Sequence, residues 1–167
     1  MNLVEFQEQS KRTMPFGGEP ANPIEFENML GNYAMGLVGE TMEFTQVTSY
    51  DDALKEIGDV MHYAVGLLAC LGEGVNYQYI YELVADDKTI PESLCFILEA
   101  AKKHIYHRHE LDKARYVKSV HTVIKGYISE FKSDEVENIL QMNIDKLKTR
   151  YPEKFSVEDS IARKDVE

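Results

Sequence analysis

The chain has 167 residues, 44% hydrophobic and 28% charged, enough to cover one core and consistent with a single domain over 1–167. Its formal net charge of -11 argues against sequence-independent binding to long nucleic acid, because no excess of Lys and Arg is present to displace phosphate counterions; a small anionic substrate would need metal ions or a local basic cluster. The N-terminus MNLVEFQEQSKRT has neither a long apolar run nor a small-residue cleavage signal, and no segment reaches the roughly 18 to 20 apolar residues of a membrane span, so the expectation is a cytoplasmic protein without a membrane partner.

Along the chain the apolar period is helical, and no alternating run is bounded by hairpin dipeptides, which predicts an all-α fold. A short helix is expected over 3–13, then a break at MPFGGEPANP, where three prolines and two glycines stop the helix and leave a loop able to act as a lid. A long helix follows over 24–47, and SYDD supplies the turn and the acid-rich start of the next, 51–71. In that helix Leu54, Ile57, Met61, Ala64 and Leu68 form the buried stripe. After Gly72 and Gly74 come a short helix over 77–84, the polar break ADDKT, and helices over 91–107, 112–131 and 134–150. Pro91 suits a first helical turn and Ser133 a cap, and the tail from Ser156 reads as irregular. Cys70 and Cys95 lie outside any CxxC motif and read as small apolar residues on buried helix faces, not as a disulfide or zinc pair.

Chemistry concentrates in two acidic pairs, Glu40 with Glu43 and Glu56 with Asp59, each spaced i, i+3, with twelve residues between the pairs. Residues three apart share a helix face, about 5 to 6 Å between Cβ atoms, so each pair is a two-carboxylate claw. Two claws on adjoining helices can face one crevice and hold a hard cation, which suits magnesium, with manganese as a substitute. A ferritin-like di-iron centre would require a Glu-x-x-His pair on two helices, which the acidic pairs do not supply.

The stretch GLVGETMEF followed by EIGDVMHY resembles the ExxE and ExxD signature of the MazG-like, all-α NTP pyrophosphohydrolases. NIDKLKTRYPEKFSVEDSIAR is similar to the NxxKLxxRYPxxF segment that ends many members, especially short phage-type ones, and FQEQSKRT to the group's opening helix. The blocks stand in family order. What the resemblance implies is a helical bundle of the MazG and dimeric dUTPase type, and magnesium-dependent hydrolysis of a nucleoside triphosphate to the monophosphate and pyrophosphate. It implies Glu40, Glu43, Glu56 and Asp59 as metal ligands; one acid must also take the proton of water, and Glu40 is the candidate for that role. Asn143, Lys146, Arg150 and Tyr151 match the C-terminal motif (about 134–155) and are expected to contact the nucleotide, with Arg12 and Arg163 flanking. Tyr33, Phe44, Tyr63 and Tyr106 are candidate stacking partners for the base.

The segment AAKKHIYHRHELDKARYVKSVHTVIKGYI is similar to the family's helix, loop and helix, so that about 91–131 reads as a degenerate copy of the acidic repeat at about 24–72. Laid together, the copies place Ser93 and Phe96 at the first acidic pair and Lys118 and His121 at the second. The second copy keeps a KKH element, Lys102, Lys103 and His104, which the first lacks. Lys102 and Lys103 are therefore expected to reach the triphosphate as substrate-binding groups. His104, His107 and His109 lack the spacing of a metal claw. A homo-oligomer, in the simplest case a dimer, follows from the family's paired subunits. Alternative readings are a catalytically quiet helical dimerisation or regulatory scaffold, and a base-specific dUTPase or dCTPase.

Overall fold

Side-chain caps set most of the helix starts. Asn2, Asn22, Ser49, Asn76, Asp112 and Ser156 each accept a hydrogen bond from a backbone N–H of the first turn, which satisfies a donor that has no partner within the helix. The helices, in a computed structural model that describes residues 1–85 and 88–163, are α1 (Leu3–Lys11), α2 (Pro23–Phe44), α3 (Tyr50–Cys70), α4 (Tyr77–Glu82), α5 (Thr89–His107), α6 (Lys113–Ile128), α7 (Ser133–Arg150) and α8 (Val157–Ala162). The fold is all-α, with no strand among the described residues. None of the described helices is long and apolar enough to cross a membrane.

Several ends differ from the sequence expectation for local reasons. α2 stops at Phe44, where Thr45 turns its hydroxyl back onto the Met42 carbonyl. α7 starts one residue before the expected position: Ser133 lies inside the first turn, and the Glu135 carboxylate accepts from the Lys132 N–H in place of a serine cap. Over 157–162 the tail is helical, because Ser156 caps the short helix α8. In the break expected at ADDKT, Asp86 and Asp87 lie outside the described residues.

α2 and α3 form one helical hairpin, α5 and α6 a second, and the two pack side by side with α5 on α2 and α6 on α3. The N-terminal end of α2 meets the C-terminal end of α5, where the Phe26 and His104 rings meet edge to face and Arg108 pairs with Glu27 at 2.6 Å. α1 and α7 cover the remaining side of α3. That helix is therefore enclosed on nearly every face: Val60, Val65 and Leu67 are buried along with the predicted stripe, of which Leu54 is half-buried. The 14–23 segment is anchored at its start, with Met14 and Gly18 buried against the core and Phe16 and Gly17 in the left-handed region. Cys70 is buried as expected, whereas Cys95 is exposed on α5.

Candidate metal centre and substrate cavity

Glu40 and Glu43 stand one turn apart near the end of α2, and Glu56 and Asp59 one turn apart in the first half of α3. Glu40, Glu43 and Glu56 each bring a carboxylate oxygen within 4.8 Å of the other two. On an octahedral magnesium at about 2.1 Å, cis oxygens are about 3.0 Å apart and trans oxygens about 4.2 Å, so the three carboxylates need up to about 2 Å of closing to share an ion. Asp59 is engaged differently. Its Oδ1 accepts from Asn143 Nδ2 at 2.7 Å and its Oδ2 from Lys146 Nζ at 2.5 Å. The expected quartet is thus a trio plus an aspartate held by α7.

The trio is electrostatically strained. Burial, followed by repulsion from Asp59, Glu43 and Glu56, pushes Glu40 from its ordinary 4.5 up to about 7. Burial and the neighbouring Asp59 and Glu43 raise Glu56 as well. One of its oxygens, Oε2, is buried without a hydrogen-bond partner. An all-carboxylate donor set with an orphaned, buried oxygen fits a small hard dication, magnesium or manganese.

The acids form one end of a cavity of about 430 Å³ between α2, α3, α7 and the C-terminal segment. From Glu43 back to Asn32 the α2 wall rises about 16 Å, so the cavity is elongated along that helix. Beyond the acids its wall is aromatic, with Tyr33, His62, Tyr63 and Phe155 in the lining. Tyr33 fits there because Gly66 has no side chain: a Cβ at 66 would lie 2.0 Å from the tyrosine ring. The Tyr33 hydroxyl lies 3.3 Å from His62 Nε2. Burial, then the positive Arg150 and Lys146, hold the His62 pKa down at about 3, so its ring is neutral.

Of the residues expected from the C-terminal motif, Lys146, Arg150 and Tyr151 line the cavity, and Asn143 is buried behind it. Arg163 joins them on the rim. Arg12 does not face a substrate; its Nη1 donates to the carbonyls of Tyr151 at 3.0 Å, Pro152 at 3.2 Å and Glu153 at 2.5 Å, closing the end of α7. Among the stacking candidates Tyr33 and Tyr63 line the cavity, while Phe44 packs on Tyr127 and Tyr106 is exposed.

The lysines of the second hairpin are elsewhere. Lys102 and Lys103 are exposed on α5 and pair with Glu99 at 2.9 and 3.6 Å. Neither borders the acid cavity; Lys103 borders a separate groove with Phe96, His109 and Arg115. Within one chain, therefore, the KKH element does not meet the acids. Ser93, Phe96 and Lys118 share a neighbouring groove, and His121 turns inward, where its Nε2 accepts from the Asn76 N–H at 2.8 Å. His62 and Phe155 were not singled out by sequence reasoning. The signal for His62 was present: it stands three residues after Asp59 and continues the same helix face. No protein-family model, curated protein or solved structure matches the chain.

Proposed function

We propose that the protein is a magnesium-dependent nucleotide pyrophosphohydrolase that converts a nucleoside triphosphate to the monophosphate and pyrophosphate. The observation that carries this reading is the trio of Glu40, Glu43 and Glu56 in an elongated cavity whose walls also hold Lys146, Arg150 and the aromatic rings of Tyr33, Tyr63 and Phe155. The residues have the types and order of the MazG-like signature, and the two helical hairpins suit a bundle of that type with the second as its degenerate copy. Magnesium held by the trio, with Asp59 as a further ligand, would supply charge stabilisation on the phosphoryl oxygens.

The chain's own groups divide the remaining work. Glu40, whose pKa is pushed up to about 7 by burial and its acidic neighbours, accepts a proton from the water that attacks the α-phosphorus. The α–β phosphoanhydride bond breaks and pyrophosphate leaves. Lys146 and Arg150 bind phosphate oxygens, and the rings of Tyr33, Tyr63 and Phe155 receive the base. Such a reaction belongs with cytoplasmic nucleotide pools, and the family's paired subunits suggest a dimer.

The test is a panel of ribo- and deoxynucleoside triphosphates with MgCl2 in oxygen-18 water. One label in the monophosphate, with pyrophosphate as co-product, is the expected result. No turnover on any triphosphate, or label confined to pyrophosphate or orthophosphate, overturns the proposal.

A further inference from the structure

Of the four carboxylates at the cation site, Asp59 alone has both oxygens satisfied by the protein, Oδ1 by Asn143 and Oδ2 by Lys146. Asp59 is 14% exposed and Lys146 31%, so the pair is enclosed enough to be held yet opens onto the cavity that both residues line. The lysine charge is felt beyond its partner: it favours the ionised forms of Glu40 and Glu56. An ammonium on a four-carbon stem, in hydrogen-bond contact with one member of an acidic cluster, occupies the place a metal ion would take at that member. Asn143 is different, since it is buried, packs against Gly58 and has no flexible stem with which to leave.

Resting on the metal-dependent reading above, we infer that Lys146 is an exchangeable counter-ion. In the cation-free protein its ammonium neutralises Asp59. Entry of a divalent cation among Glu40, Glu43 and Glu56 recruits Asp59 as the fourth carboxylate and repels the lysine, which turns along the cavity to meet a phosphate. Asn143 keeps its bond to Asp59 Oδ1 throughout and fixes the direction in which Oδ2 is presented. Lys146 thus couples cation binding to readiness for an anionic substrate. The two ions enter in order, cation first.

Titration calorimetry with MgCl2 on the wild type, Lys146→Met, Asp59→Asn and the double variant separates exchange from a general charge effect. Under exchange, Lys146→Met tightens magnesium binding by about tenfold, the scale of one charge-assisted hydrogen bond given up. That gain disappears in the Asp59→Asn background. An equal gain in both backgrounds shows that the lysine acts through its charge alone and overturns the inference. In the wild-type chain, the nuclear scalar coupling between Lys146 ¹⁵Nζ and the Asp59 carboxyl ¹³C should be present without magnesium and lost at saturating MgCl2. Coupling that survives saturation overturns the exchange, whatever the variants do to folding. Absence of any magnesium binding to the wild type removes the metal centre itself along with the inference, so the two failures are distinguishable.

Discussion

Gly58 and Asn143 touch across the contact between α3 and α7: a Cβ built on the glycine would lie 3.0 Å from the Asn143 Cβ. That close approach lets the Asn143 amide reach the next residue, Asp59, at 2.7 Å. Gly58→Ala should push α7 outward; an overpacking cost of about 1 to 3 kcal/mol, less about 1 kcal/mol of helix propensity recovered at a mid-helix glycine, leaves a loss of up to about 2 kcal/mol. It should also change magnesium affinity, because Asn143, which orients Asp59, and Lys146, which competes with the cation for it, move away from Asp59 together. Thermal melting and magnesium titration check both effects, and a variant with wild-type values in each contradicts this account of the interface.

The pH dependence has a definite sign. Glu40 titrates near 7 in the folded protein against an ordinary 4.5, so between those values the folded state holds a proton that the unfolded chain has lost. Stability of the metal-free protein from this group is therefore present below about 4.5 and is lost as pH rises through about 7. Glu56 shifts in the same direction. Glu40→Gln should melt close to the wild type at low pH and progressively above it as pH rises towards 7, with the gap closing when MgCl2 is added. A gap that is constant across this range, or that widens with acid, would refute the assignment.

The all-α class, the helix order and the positions of the acids were legible in the sequence because each depends on local spacing. An i, i+3 acidic pair shares a helix face wherever the helix goes, and Ser49 caps α3 through its own first turn. The placement of Lys102 and Lys103 was not legible. Motif comparison gives a residue's neighbours along the chain, but which face of α5 meets α2 is decided by packing of residues such as Ile97 and Ala101. The same limit applies to Arg12, which the sequence places only as flanking the site, while its partners are carbonyls some 140 positions away. Asp59 lay within the visible signature, yet its capture by α7 depends on a tertiary contact through Gly58.

Arg12 offers a structural prediction distinct from catalysis. Its guanidinium binds three carbonyls beyond the end of α7, where a positive charge also complements the helix dipole. The Arg12 carbonyl in turn accepts from the Phe155 N–H at 3.1 Å. Arg12→Met should cost about 1.5 to 3 kcal/mol, the range for hydrogen bonds to a charged group. It should speed hydrogen exchange at Phe155 and raise KM for the triphosphate while leaving magnesium affinity unchanged. Unaltered exchange at Phe155 would show that the segment is held by other contacts.

Lys102 and Lys103 distinguish a site complete within one chain from one finished by a second copy. Both are exposed and paired with Glu99 on the same helix, where solvent screens the pairs and leaves them little to contribute. In a self-sufficient chain, Lys102→Ala, Lys103→Ala and the double variant should keep kcat/KM within about twofold, since 1.4 kcal/mol corresponds to a factor of ten. Melting temperatures should stay close to the wild type. A tenfold or larger loss of kcat/KM with unchanged melting would mean that α5 of one copy reaches the acid cavity of another. Sedimentation would then have to show a dimer at the assay concentration; a monomer that retained the tenfold loss would rule out that route as well.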